Sequence, residues 1–487
     1  MKDLYIKKYI WNKNDNNVFF DSLNKKLNIK NINRYIPILA LYLYYHNTKK
    51  AHKLLDFHRK YYINEILEVE ELKYYNSNML SQIKLYNKID NKITQTDCFI
   101  KIMPILDIIP FIKNNYNINN NFNLPNNYNY NTYSKINSLY NSSYIDTFFS
   151  LIVSELSCNN ILPNFPKFYG QVNGIIDSFK YDITDEYEDI CDNRGFNKNL
   201  GKLFSINIYK EDTESETDSE THSESEKYDT DSYSDLSEDN DYILNIYNFP
   251  VQLLFIEKLD NTLDKLFPDI SVRQLISCYF QINYALIYLQ KCFNFTHNDL
   301  HINNIMYKKT NKKFLYYKYN NLYFKVPTFG FIFYIIDFGR SIFTFKNKIF
   351  TNDIFSEFGD CEGQYDYPIN NIELFVKNKI EKENTKINYS FDMCRLTTTI
   401  LEEIENNSLF KDDDDLTKEL FKFLNKILVD KNNEKIYNED IKDKFDLYIN
   451  ISKYACNGIP KDLINHKLFK IFRIAKKDFP KKNFYKI

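Results

Sequence analysis

The chain has 487 residues, of which 44% are hydrophobic and 26% charged, enough apolar material for a full core in two or more compact units, which excludes fibrous classes. Its net charge of -2 is unevenly placed: residues 211 to 241 hold 14 Asp or Glu and one Lys, leaving 62 Lys and Arg against 51 acids elsewhere, a surplus of +11. Eight Cys without a C-x-x-C pair exclude a zinc ribbon or disulfide framework and fit a reducing compartment, while 41 Tyr and 40 Phe against 9 Gly, with abundant Asn, Ile and Lys, reflect an AT-rich coding sequence rather than a function.

The N-terminal MKDLYIKKYIWNKNDN lacks the uninterrupted apolar core of a signal peptide. The longest apolar run, ILALYLYY (38 to 45), falls short of the roughly 20 residues a bilayer requires, so no membrane segment is expected. Apolar groups in LALYLYY and in AHKLLDFHRKYYINEILEVEEL recur at roughly helical spacing, which predicts a helical extension over residues 1–80. His46, His52 and His58 recur every six residues and spread around a helix, as surface histidines do and metal ligands do not.

Over SQIKLYNKIDNKITQTDCFIKIMPI (81 to 105), alternation and β-branched residues predict two or three strands. An Asn- and Tyr-rich insert (113 to 143) leads into SYIDTFFSLIVSEL, a helix capped by Ser142 or Ser143. Residues 206–245 are rich in Ser, Thr, Asp and Glu and are expected to be disordered. They form either a plain solvated loop or one whose Ser219, Ser223, Ser225 and Ser237, each beside acids, accept phosphate. FPVQLLFIEKLDNTLDKLF (249 to 267) has the pattern of a buried strand, a turn and a short helix. Leu275, Tyr279, Ile282, Leu286 and Leu289 then fall at spacings of four and three, one face of a buried helix. FIFYII (331 to 336) predicts another strand, and SFDMCRL (390 to 396) the start of another helix.

The segments that carry chemistry are FTHNDLHINNIM (295 to 306) and IIDFG (335 to 339). Together they supply two carboxylates and an amide, in a loop after a long helix and at the end of a strand. Moving a γ-phosphoryl group needs little covalent help, so those groups suffice if they position a hydroxyl acceptor and hold a charge-neutralising cation.

The order and spacing His297, Asp299, Asn304, then Asp337, Phe338, Gly339 resembles the H-R-D-L-x-x-x-N and D-F-G motifs of the protein-kinase superfamily. The resemblance spans about residues 85 to 400 and implies an α+β, bilobal protein-kinase-like fold: a small, mainly β N-lobe and a larger α-helical C-lobe. The corresponding division is 1–80 as an N-terminal helical extension, 81–258 as N-lobe interrupted by the insert 206–245, and 259–487 as C-lobe. It further implies ATP and Mg²⁺ as cofactors. Asp299 would orient the acceptor, Asn304 and Asp337 would hold Mg²⁺, and Asp392 would anchor the catalytic loop backbone. CFIKIM resembles the V-A-I-K strand, which makes Lys101 the residue that binds the α- and β-phosphates; by type alone it is a solvent-facing strand lysine. Its partner on the next helix would be Glu155, since Asp146 lies in the first turn, where an acid is expected for dipole reasons anyway. Glu257, Lys258 and Leu259 would form the hinge whose backbone meets adenine.

The pattern departs from the family in several places. No Gly precedes Gly170, so any phosphate-covering hairpin ahead of Lys101 is expected from residues such as Asn87, Asp90 and Asn91. Asn298 replaces the Arg that pairs with a phosphorylated activation loop, and His301 stands where a Lys contacts the γ-phosphate. Thirty-two residues separate Asn304 from Asp337, and the excess predicts an extra β-hairpin. With the Asn-rich bias, these features are similar to protein kinases encoded by giant DNA viruses, which implies a host-cell cytoplasmic or virion setting. The expected activity is transfer from ATP to protein Ser or Thr, with no direct nucleic-acid binding. A pseudokinase scaffold that binds nucleotide, or a small-molecule kinase of the aminoglycoside or choline type, are the alternatives.

Overall fold

The computed structural model describes residues 7–8, 13–38, 57–58, 60–72, 76–116, 124, 133–210, 240–345, 348–355, 359, 361–365, 387–407, 409–410, 414–436 and 444–487. Its architecture is mixed α+β, with one large antiparallel sheet built from the first half of the chain and most of the long helices in the second.

The sheet has seven strands: β1 (Ile29–Asn33), β2 (Tyr61–Glu71), β3 (Met79–Asn87), β4 (Lys92–Pro104), β5 (Phe168–Asp182), β6 (Phe204–Lys210) and β7 (Asn240–Glu257). They lie in the order β1-β5-β7-β4-β3-β2, and β6 pairs with the first part of β7. Period-two alternation sorts the side chains of β4: Cys98, Ile100 and Ile102 are buried on one face, which leaves Lys101 on the other. On that second face Met103, Leu254, Ile256 and Phe168 form an apolar cluster with Leu151 from helix α2 (Ser142–Cys158). Helix α1 (Lys13–Leu27) packs on the sheet through Phe19, whose ring meets Phe255 edge-on at 5.8 Å. β1 can run beside β5 because Gly174 faces it; a Cβ there would lie 2.2 Å from the Ile29 side chain.

Three expectations change here. Residues 61–71, predicted helical, are strand β2. Its register shifts between Ile63 and Glu65 and again between Ile66 and Glu68, so the buried Ile63 and Ile66 stand three apart and mimic helical spacing. The sheet therefore begins well inside residues 1–80, and α1 is the only long helix among the described residues there; all of LALYLYY, with His46 and His52, lies outside them. The acidic insert is also narrower than 206–245, since 204–210 and 240–246 pair as strands in continuous register. Residues 211–239 lie outside the described residues.

The second half is organised around helix α3 (Val272–Phe293), opened by a Ser271–Gln274 capping box and closed by Asn294 in the left-handed conformation. Leu275, Tyr279, Ile282, Leu286 and Leu289 are all fully buried, and so are residues on its other faces, making it the central element of that half. After it come β8 (Ile305–Lys309), the hairpin β9 (Phe314–Tyr319) and β10 (Leu322–Pro327), and β11 (Phe331–Ile335), which returns to pair with β8. The extra hairpin expected between Asn304 and Asp337 is thus present; Tyr317 and Phe324 pack its inner face on Phe280 of α3. Strands β12 (Phe343–Phe345) and β13 (Lys348–Phe350) form a small ribbon after Gly339. Helices α4 (Phe391–Asn406), α5 (Asp415–Ile427) and α6 (Lys444–Tyr454) complete the helical part. Strand β14 (Tyr485–Lys486) adds in parallel to β9. Among the described residues, no helix is long and apolar enough to cross a membrane.

Candidate active site

The loop after α3 is pinned from below. Asp392, in the first turn of α4 and fully buried, accepts hydrogen bonds from the backbone N–H of His297 (2.9 and 3.0 Å) and of Asn298 (3.0 Å). Burial raises its carboxyl above the ordinary range, against the pull of those donors. Asn298 sits at φ 63°, a left-handed conformation that Asn tolerates better than most residues. Its amide donates to Arg340 O (3.0 Å) and accepts from Tyr365 Oη (2.7 Å), so neutral hydrogen bonds join this loop to the segment after Gly339. The His297 ring reaches Ile336 O at 2.9 Å. The loop and the strand end that precedes Asp337 are therefore one hydrogen-bonded unit.

Asp337 is delivered by β11, and Ile336 N–H donates to Asn304 O at 3.1 Å. The residue has φ 65°, an unusual backbone state for Asp, held from both sides. On one side Phe338 is buried against Phe149, Phe295 and His297. On the other, Lys101 Nζ lies 2.8 Å from Asp337 Oδ1 and 2.7 Å from Asp146 Oδ2. Asp146 Oδ1 in turn accepts from Phe338 N–H (3.0 Å) and Ser150 Oγ (3.2 Å). Burial alone would raise the Asp337 carboxyl, but the Lys101 ammonium overrides it and brings the pKa down to about 2. Burial likewise pulls on Lys101, and the two carboxylates outweigh it and hold the ammonium above its ordinary value.

The partner of Lys101 is therefore Asp146, and the expectation of Glu155 is corrected. Nine residues along a helix is two and a half turns, which puts Glu155 about 13 Å further along and on the opposite face. There it bonds Asn159 at the helix end. The cap is also one residue earlier than expected: Asn141 accepts from Ser143 N–H. The turn containing Asn87, Asp90 and Asn91 is corrected as well. It joins β3 to β4 at the end remote from Lys101, nine strand residues or roughly 30 Å away. The connection at the Lys101 end is the one between β2 and β3, where Asn78 Oδ1 accepts from Ile102 N–H at 2.9 Å.

Asp299 and Asn304 lie in the pinned loop, and Asn304 Nδ2 donates to Asp299 O at 2.8 Å. That bond turns the Asn304 amide so that its oxygen is left as an acceptor. The Asp299 carboxylate accepts from Tyr448 Oη of α6 at 2.6 Å and lies 3.7 Å from Arg340 Nε. His301 lies inside the loop: Nδ1 is 3.3 Å from the Asn303 backbone N and Nε2 is 3.1 Å from Asn304 Nδ2, and a neutral ring can accept at only one of the two. Burial lowers its pKa despite the nearby Asp299, which favours the uncharged ring. Glu257 ends β7, with its carboxylate 2.6 Å from Lys308 Nζ, and Leu259 is buried behind it. Both stand at the strand exit where a hinge was expected.

Asn304 and Asp337 offer oxygen ligands, and the Asp337 side chain is 41% exposed. Mg²⁺ is held in this way by one or two protein groups, substrate phosphates and water, so the pair fits it. Among the described residues no group of three or more His, Cys, Asp or Glu forms a metal cage. Asp146, Arg340 and Tyr448 were not singled out as functional from the sequence. Asp146 carried a signal, as an acid in a largely apolar helix; Tyr448 is one tyrosine among 41 and carried none. No family model matches the chain, and no curated protein matches it.

Proposed function

We propose that this chain is an ATP-dependent phosphotransferase of protein-kinase type, moving the γ-phosphoryl group to a protein Ser or Thr hydroxyl. One observation carries the reading: Lys101, Asp146, the 297–304 loop and Asp337, from four distant stretches of sequence, converge through direct bonds into one constellation. Lys101, oriented by Asp146, would bind the α- and β-phosphates. Asn304 and Asp337 would hold Mg²⁺, which when bound neutralises charge on the transferring group. Asp299 would receive the acceptor proton, and His301 would stand beside the Asn304 amide. Glu257 to Leu259 would offer backbone to adenine. The β-rich first half and helical second half would be the two lobes of such an enzyme, and a host-cell or virion setting belongs to the same proposal. A nucleotide-binding scaffold would have no use for Asp299 and its oriented neighbours.

The test is Mg²⁺-dependent transfer of labelled phosphate from ATP to a generic basic protein, comparing wild type with Asp299→Asn. Transfer by the first and not the second is expected. Equal transfer by both would remove Asp299 from the mechanism.

A further inference from the structure

Among the described residues, a hydroxyl of this same chain stands directly against Asp299. Tyr448 Oη donates to Asp299 Oδ1 at 2.6 Å, the relation an acceptor hydroxyl must have to its general base. Helix α6 does not rest there loosely. Leu447 and Ile451 are buried, the Tyr448 ring packs on Phe391 at 6.1 Å, and Asn388 Nδ2 holds the backbone oxygens of Ile451, Ser452 and Ala455 (3.3, 3.0 and 2.8 Å). Two cations flank the ring: the guanidinium of Arg395 lies 5.0 Å from its centroid and that of Arg340 at 5.5 Å. Paired guanidinium groups beside a hydroxyl form the setting in which a phosphate ester is held by charge-assisted bonds.

We propose that Tyr448 is an acceptor built into the chain, phosphorylated in cis on the Asp299 side of the active site, with Arg340 and Arg395 holding the phosphate it gains. The inference rests on the phosphotransferase reading above. Asp299 takes the phenolic proton as the Tyr448 Oη–P bond forms. The bond between the γ-phosphorus and its bridging oxygen breaks, its electron pair leaves with ADP, and Asp299 later releases the proton to water. Burial and the Asp299 charge both raise the phenol pKa, so the hydroxyl keeps its proton until a base removes it. While unmodified, the phenol also competes with any external acceptor for Asp299.

The experiment uses the full chain, treated with phosphatase and freed of it, then given Mg²⁺-ATP and a generic basic protein. The expected result is phosphotyrosine at Tyr448 by peptide mass spectrometry, formed at a first-order rate independent of protein concentration. Tyr448→Phe, which keeps the ring and its packing, removes that phosphate and raises transfer to the basic protein about tenfold, the value of one competing charge-assisted hydrogen bond. Labelling of the basic protein with Tyr448 unmodified would overturn the inference and leave the phosphotransferase reading standing. A Tyr448 rate proportional to protein concentration would overturn transfer in cis. No transfer to any acceptor by folded wild-type protein would overturn both.

Discussion

The residue on which most depends is Lys101, because one ammonium pairs with two carboxylates of different exposure. Asp146 is 2% exposed, so removing the cation in Lys101→Met strands a buried charge; a cost of about 3–5 kcal/mol is expected in urea unfolding. Turnover in the same variant should fall by on the order of 10²–10³, as for loss of a preorganised electrostatic contact. Glu155→Gln should stay within about 0.5 kcal/mol of wild type and keep its rate. The reverse ranking of the two variants would return Glu155 to the site. Asp337 adds a pH signature. Its folded pKa, about 2, lies below the unfolded carboxylate value of roughly 3.9. Its contribution to stability is thus present above pH 4 and is lost as pH falls toward 2. Wild type should lose stability more steeply than Asp337→Asn between those limits; parallel curves would show that Lys101 does not hold the carboxylate. Asp299, Asn304 and Asp337 were legible in the sequence because each sits in a short motif whose spacing is local. Asp146 was misjudged because which turn of α2 meets Lys101 is decided by how the helix crosses the sheet. Tyr448 meets Asp299 across a sequence separation of 149 residues, which no local pattern encodes.

At the scale of elements, legibility followed periodicity. Helix α3 was clear because its apolar groups keep helical spacing over 22 residues, and β11 because an aromatic and β-branched run ends in a polar break. Strand β2 was missed because two register shifts interrupt its alternation, an effect of pairing with β3 rather than of its own residues. The junction between α4 and the 297–304 loop is the element-level contact most open to test. Asp392→Ala would leave the buried N–H groups of His297 and Asn298 without an acceptor, at about 1–3 kcal/mol each. Wild-type stability in this variant would mean that Thr296 to Asn298 hold their shape through the Phe295–Phe149 stack, at 4.6 Å, the backbone bridge from Thr296 to Ile342 and the side-chain bonds of His297 and Asn298. The expected outcome is a loss of about 2–6 kcal/mol with a larger proportional loss of phosphoryl transfer, because the same two N–H groups orient Asp299.

For the whole molecule, the telling fact is where the charge lies relative to the sheet. The chain outside residues 211 to 241 carries a surplus of +11, and the acidic stretch enters and leaves through β6 and β7, whose pairing runs in register from Phe204↔Ile246 to Lys210↔Asn240. Because the last pair already brings the ends together, a two-residue Asn-Gly turn in place of 211–239 suits the antiparallel geometry without disturbing either strand. The fold should therefore survive the replacement, with unfolding stability unchanged or raised by at most about 2 kcal/mol, the scale of the closure entropy for that difference in connection length. Phosphoryl transfer separates an insert that is a plain solvated loop from one whose acids cover part of this basic surplus. If the acids fold back onto a basic cleft, the shortened chain should bind ATP and acidic acceptors more tightly at low salt, and its rate should fall more steeply as salt rises. If the stretch is only a solvated connection, transfer and its salt dependence should match wild type across the same range. The second outcome is expected, because Lys101 already has two carboxylates of its own and does not need the insert to balance it.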